Sequence, residues 1–171
     1  MTNNVTAVLN LTKELQNSFT DLFHPPETGY HSPTQRVIAD SIVRQTRGYI
    51  ERIANQINGC FENGWYDACA VMMRRLLETV IIEVFEAHAI ASKIKNPQGD
   101  YFYLNDLISA ILAESNVTLS RNTRDSLKKL KKVGDLSAHS RRYNANYQDI
   151  EGVRYDFRIA IEELLYLARL K

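Results

Sequence analysis

The stretch Ala68–Ala87, which reads ACAVMMRRLLETVIIEVFEA, decides the fold because it is apolar on nearly every side. Its apolar residues recur at the spacing of a helix. A helix that is apolar nearly all round is covered on several sides by other elements. The sequence therefore predicts a long central apolar helix, from about Trp65 to Lys95, in an all-α fold.

Charged side chains interrupt this helix near its middle. Arg74 and Glu78 are four residues apart and Arg75 and Glu78 are three apart, so either arginine can pair with the carboxylate. A charge beside an apolar core needs such a partner. We therefore assign Arg74, Arg75 and Glu78 a structural role as an ion pair, with a ligand-facing role as the alternative.

Other helical segments lie on both sides of this stretch. Because no segment alternates apolar and polar residues as a strand does, we predict a bundle of five to six helices. One domain is expected over residues 1–171, with an N-terminal helix and Pro-rich connector in 1–31 and the core in 32–171. The other predicted helices are Val5–Phe23, Ser32 to about Phe61 with a capping box at Ser32 and Gln35, Leu104–Glu114, Ser120–Lys132 and Tyr147–Leu170, with a turn at Asn96–Gly99.

Composition narrows the function classes. No run reaches the roughly 20 apolar residues of a membrane span, and the N-terminus lacks the features of a secretory signal. Cys60 and Cys69 are expected to be buried thiols in a reducing cytoplasm. Of the histidines only His24 and His31 lie near each other, without clear further ligands, so no metal is expected. No motif for a cofactor is present either.

A local excess of positive charge lies within the net charge of +1. Between Arg121 and Arg142 eight basic residues face two acidic ones, so this segment carries +6 and the rest of the chain −5. A basic face on an otherwise acidic protein favours a local anionic partner. A solvated helix face is the alternative.

Within that segment, residues 131–143 read KKVGDLSAHSRRY. Gly134 is predicted to end the Ser120–Lys132 helix as its C′ residue, and Asp135 to cap the following turn. His139 would then lie in a cationic pocket, which lowers the pKa of a histidine and leaves it able to accept a proton. The alternative is a histidine packed at the junction and bonded to a backbone carbonyl.

A neutral histidine among cations suits RNA cleavage without a metal. The base removes a proton from the 2′-hydroxyl, and the fixed cations stabilise the charge that develops on the phosphate. Candidate phosphate ligands are the basic side chains around His139, namely Lys128, Lys129, Lys131, Lys132, Arg141 and Arg142.

Two motifs, Arg74-Arg75-Leu76-Leu77-Glu78 and Gly134-Asp135-Leu136-Ser137-Ala138-His139, resemble the HEPN (higher eukaryote and prokaryote nucleotide-binding) superfamily. The resemblance covers about Ile53 to Leu170 and is closest to bacterial domains of unknown function found beside restriction and phage-defence genes. It implies a helical bundle that is commonly a homodimer. Active members are metal-independent ribonucleases in which four to six residues separate an arginine from the histidine that follows it. Here Gly134 stands at the tightest of these spacings and Lys132 at the longest.

These observations lead to an RNA-binding, HEPN-like domain of a bacterial defence or toxin–antitoxin system. Its catalytic version is an endoribonuclease that uses His139 as general base or acid and Lys132 on the phosphate. The alternatives are a module without catalysis that dimerises or docks a partner protein from a neighbouring defence gene, and a regulator that senses a nucleotide.

Overall fold

The computed structural model describes residues 8, 10–12 and 36–171. Its regular structure there is helical, and the one strand-like feature of this part of the chain is an isolated antiparallel bridge between Lys95 and Tyr101. The all-α prediction is confirmed. Of the predicted helix Val5–Phe23 only four residues are described, and they are helical and exposed. The connector and the capping box at Ser32 lie outside the described residues.

Six α-helices and one 3₁₀ helix follow in the order α1, α2, α3, 3₁₀, α4, α5, α6 within residues 36–171. The helix α3 packs against α2, α4, α5 and α6, and α5 also packs against α6. Ala68, Val71 and Arg75 are exposed, so one face of α3 reaches the surface. The bounds are α1 Asp40–Val43, α2 Gly48–Glu62, α3 Tyr66–Ala87, the 3₁₀ helix Ala91–Ile94, α4 Leu104–Ala113, α5 Arg121–His139 and α6 Tyr147–Leu167.

The prediction of one helix from Ser32 to about Phe61 is wrong, because the chain breaks between α1 and α2. Gln45 has φ 66°, and its backbone N–H donates to Oε1 of Glu51 at 2.8 Å. The break lets residues 36–43 pack back on the core, where Nε of Arg158 on α6 donates to the carbonyl oxygen of Val37 at 2.8 Å. This tertiary contact outweighs the local helical pattern.

The helix α3 ends at Ala87 and not near Lys95. Ala89 adopts φ 58°, and the backbone N–H of Ile90 donates to the carbonyl oxygen of Phe85 at 3.0 Å. These features form a Schellman motif, with alanine in the place usually taken by glycine. Ile90 and Ile94 keep a helical spacing beyond the true end, which explains the overlong prediction.

Predicted elements with strong local signals agree with the structure. Leu104–Ala113 is helical, and the side chain of Asn96 accepts the backbone N–H groups of Gln98 and Asp100, which closes the predicted turn at Gly99. The last helix begins at Tyr147 as predicted, behind a capping box of Asn146 and Asp149. It ends at Leu167, three residues before the predicted end.

The largest correction concerns Gly134, which does not end a helix. The helix α5 runs unbroken from Arg121 to His139, so Gly134 is not a C′ residue and Asp135 is not a cap. Gly134 is buried, and a Cβ placed there would lie 2.7 Å from Cβ of Arg74. The glycine therefore allows α5 to approach α3 closely.

The N-terminus of α5 is held by a carboxylate from α6. Ser120 is the N-cap, as the predicted start of this helix implies. The Glu163 carboxylate accepts the backbone N–H of Ser120 at 2.5 Å, its hydroxyl at 2.6 Å and the hydroxyl of Thr123 at 2.5 Å. Burial alone would raise the pKa of Glu163, but these hydrogen bonds outweigh it and leave the pKa below its ordinary value.

Glu163→Gln should therefore remove part of the acid sensitivity of folding. A carboxylate whose pKa is lower in the folded than in the unfolded chain, where it is about 4.5, stabilises the fold above that pH. This stabilisation is lost as the pH falls through the folded value. Urea denaturation from pH 7 to pH 3 should show lower stability for Glu163→Gln at pH 7 and a shallower decline on acidification. Glu162→Gln, its exposed neighbour, is the control. Equal pH slopes for the wild type and Glu163→Gln would contradict this role.

Candidate nucleic-acid interface

The unbroken helix α5 aligns four side chains along one exposed face. Arg121, Lys128, Lys132 and His139 are separated by seven, four and seven residues, close to whole turns of an α-helix. All four are exposed, and together they extend over about 27 Å at roughly 1.5 Å per residue. We call this set the cationic stripe. Sequence reasoning missed that His139 continues this line, because it ended the helix at Lys132. Arg121 lies within the predicted helix, and its spacing to Lys128 and Lys132 could have placed it on the line.

An open groove of about 420 Å³ runs along the C-terminal half of the stripe. It brings together three of the predicted phosphate ligands and the predicted catalytic histidine. The lining residues are Lys128, Lys131, Lys132, Asp135, Leu136, His139 and Ser140. Arg141 and Arg142 are exposed in the segment that follows α5 and are not among the lining residues.

The predicted phosphate ligands are not equally available. Lys131 forms an ion pair with Asp135, and Nζ of Lys129 lies 3.3 Å from Oδ2 of Asp156 on α6. Lys128 and Lys132 are exposed and form no ion pair with another described residue. These two lysines can therefore give their full charge to an anion in the groove.

The two motifs of the sequence analysis meet where α3 crosses α5. Nε of Arg74 donates to Oδ1 of Asp135 at 3.1 Å, next to the close approach at Gly134, while Nη1 of Arg74 lies 3.9 Å from Oε2 of Glu78. The predicted Arg74–Glu78 pair is thus present but longer than the contact with Asp135. Arg75 is exposed and pairs with no acidic group in the described ranges.

Asp135 joins this crossing to the groove. Burial would raise the pKa of Asp135, but the hydrogen bonds and charges of Lys131 and Arg74 outweigh that effect and lower it. The carboxylate therefore stays ionised and neutralises part of the positive charge nearby. On the stripe, the positive charge that no described carboxylate neutralises is that of Lys128 and Lys132.

His139 is the last residue of α5 and is exposed. Its ring forms no hydrogen bond with any described residue, so it is not the packed, carbonyl-bonded histidine of the alternative interpretation. Lys132 lies two turns away, about 10.5 Å along the axis. Helical side chains lean toward the N-terminus, so His139 leans over the turn of Asp135 and Lys132 leans toward Lys128. This geometry suits successive phosphates better than one phosphate held by both groups.

The remaining expectations concern a metal site, the two thiols and a membrane span. No group of three or more His, Cys, Asp and Glu side chains among the described residues could hold a metal ion, and His24 and His31 lie outside these residues. Cys69 is buried as predicted, whereas Cys60 is only partly buried, and burial raises the pKa of both thiols. None of the described helices has the length and apolar character needed to cross a bilayer.

Comparisons of the chain with protein-family models, with curated proteins and with solved structures gave no significant match.

Proposed function

We propose that this chain is an HEPN-like domain that binds single-stranded RNA along the cationic stripe of α5. The observation that carries the proposal is the pair Lys128 and Lys132, exposed and unpaired among the described residues, on one line with Arg121 and His139. The fixed cations of the stripe extend over about 16.5 Å, from Arg121 to Lys132, and this spacing matches the repeating charge of an extended phosphate backbone better than it matches a single small anion.

The contact between α3 and α5 supports the family part of the proposal. The arginine of the first motif, Arg74, bonds the aspartate that follows Gly134 in the second motif. Two motifs that lie 60 residues apart in sequence thus form one structural unit in space. In this unit Gly134 and Asp135 position α5, and His139 projects beyond it.

Membership of a bacterial defence or toxin–antitoxin system and pairing into a homodimer belong to the same proposal. Trp65, which is 60% exposed, is an apolar surface that a second copy of the chain would cover. A partner protein from a neighbouring defence gene is the alternative occupant.

Replacement of the two unpaired lysines by glutamine tests RNA binding. Lys128→Gln/Lys132→Gln should weaken the binding of a labelled single-stranded RNA by about tenfold, since each exposed charge pair contributes up to about 1 kcal/mol. The matched control is Arg52→Gln/Lys95→Gln, which removes two exposed charges outside α5. Fluorescence anisotropy at low salt measures both. Equal loss in the two variants would mean that only net charge matters, and an unbound wild type would refute the proposal.

A second candidate function, a metal-independent endoribonuclease, is favoured by the exposure of His139 within a cationic groove. If it holds, the wild type cuts RNA in EDTA to fragments that end in a cyclic phosphate. His139→Ala should then lower the rate by about 10²–10⁴ and leave the melting temperature unchanged, because an exposed side chain is lost. Intact RNA after incubation with the wild type would leave binding as the function.

A further inference from the structure

A cleft of about 310 Å³ lies between α5 and α6, on the face of α5 next to the cationic stripe. Its lining combines one aromatic ring with amide and carboxylate groups. The lining residues are Asn122, Asp125, Ser126, Lys129, Tyr155, Asp156 and Ile159. Ligand clefts range from about 300 to 1,000 Å³, so this one has the size for a single planar ring system.

Tyr155 is the prominent side chain of the cleft, with 74% of its surface exposed. An aromatic ring that is open to solvent can stack an unpaired base, since every base has a π-face. Tyr166 on the same helix is 71% exposed but is not among the lining residues, so exposure alone does not distinguish Tyr155. What distinguishes Tyr155 from Tyr166 is its position in the cleft.

The charges in the cleft disfavour a phosphate. Lys129 is engaged by Asp156 at 3.3 Å, and Asp125 has only a loose contact of 4.0 Å with Arg121, at a side-chain exposure of 74%. A carboxylate repels phosphate but accepts a hydrogen bond from the exocyclic amino group of a base, as Asp and Glu do with cytosine. The polar groups therefore fit the edge of a base that bears an amino group.

The cleft also lies within reach of a strand on the stripe. Lys128 belongs to the groove and Lys129, the next residue, lines the cleft, so the two surfaces share one helix and differ by about 100° around it. A strand whose phosphates follow Lys128 and Lys132 can turn one base over the edge of α5 toward α6.

We infer that this cleft is a subsite for one unpaired, amino-bearing base, stacked on Tyr155, of an RNA strand held by the cationic stripe. The inference rests on the proposed RNA binding and adds a base preference to it. The carboxylate can accept a hydrogen bond from the amino group of cytosine. Uracil carries a carbonyl oxygen at the same position and offers the carboxylate no donor. The site therefore prefers cytidine to uridine.

Anisotropy with oligocytidine and oligouridine of equal length tests this subsite. Tyr155→Leu should weaken oligocytidine binding at least about fivefold, whereas Tyr155→Phe, which keeps the ring, and Tyr166→Leu, the matched control, should stay within about twofold of the wild type. Tyr155→Leu should not change the salt dependence, because no charge is lost. Thermal melting verifies that the variants fold.

The possible failures are distinguishable. If the wild type binds RNA with the expected dependence on Lys128 and Lys132 but Tyr155→Leu binds as the wild type does, the subsite is refuted and the RNA-binding proposal stands. If oligouridine binds as tightly as oligocytidine, the amino-group preference is refuted. If the wild type binds neither oligomer, the proposed function and the subsite both fall.

Discussion

Asn58→Ala should lower the free energy of unfolding by about 2–6 kcal/mol. Asn58 lies buried on α2 and bonds both backbone groups of Ile38: its Oδ1 accepts the N–H at 3.1 Å, and its Nδ2 donates to the carbonyl oxygen at 2.9 Å. Alanine leaves two buried backbone groups without partners, at about 1–3 kcal/mol each. The segment 36–43 would lose one of its anchors to the core.

Urea denaturation of Asn58→Ala beside Asn55→Ala measures this effect. Asn55 is exposed on the same helix, so its replacement should change stability by no more than about 0.5 kcal/mol. Equal midpoints for the two variants would show that the Ile38 backbone finds other partners and that Asn58 does not hold the segment.

Gly134→Ala should destabilise the fold although alanine favours a helix. Alanine in a helix interior is worth about 1 kcal/mol over glycine. The added Cβ would lie 2.7 Å from Cβ of Arg74, an atom next to the backbone that cannot move without a shift of α3. Overpacking of this kind costs about 1–3 kcal/mol. Because the contact is rigid, we expect the upper part of that range and a net loss of about 1–2 kcal/mol.

A second glycine serves as a control for this prediction, because its replacement by alanine should change the stability in the opposite direction. Gly152 lies within α6, is exposed, and has no atom within 4 Å of an added Cβ. Gly152→Ala should therefore stabilise the protein by about 0.5–1 kcal/mol. Stabilisation by both substitutions would contradict the close approach of α3 and α5, and with it the placement of the stripe.

These two positions also show how far sequence reasoning extends. A glycine in a helical pattern can end the helix, or it can lie inside the helix where a neighbouring helix packs closely. The local sequence does not distinguish these two roles. The partner that decides for Gly134 is Arg74, 60 residues earlier in the chain. Buried Thr123, Leu127, Leu130 and Gly134 follow a helical spacing, and this signal could have predicted the continuous helix.

Elements decided by local chemistry were predictable. The turn at Asn96 and the helix at Leu104 depend on neighbouring residues, so their signals lie within a few positions. The break at Gln45 and the helix end at Ala89 use positive φ at residues other than glycine, and packing elsewhere in the fold determines them. The lysines of the site were identified from charge alone. The pairing of Lys129 with Asp156 depends on the position of α6. The pairing of Lys131 with Asp135, four residues on, depends on α5 being continuous through Gly134.

The salt dependence of RNA affinity tests the central claim most directly, because it counts the phosphates that the protein contacts. For a single strand, the logarithm of the binding constant falls with the logarithm of the salt concentration by about 0.7 per phosphate. Lys128→Gln/Lys132→Gln should make this slope shallower by about 1.4, while Arg52→Gln/Lys95→Gln should leave it as in the wild type. A slope for the Lys128/Lys132 variant equal to that of the wild type would contradict RNA binding along α5 and would leave the stripe as a solvated helix face.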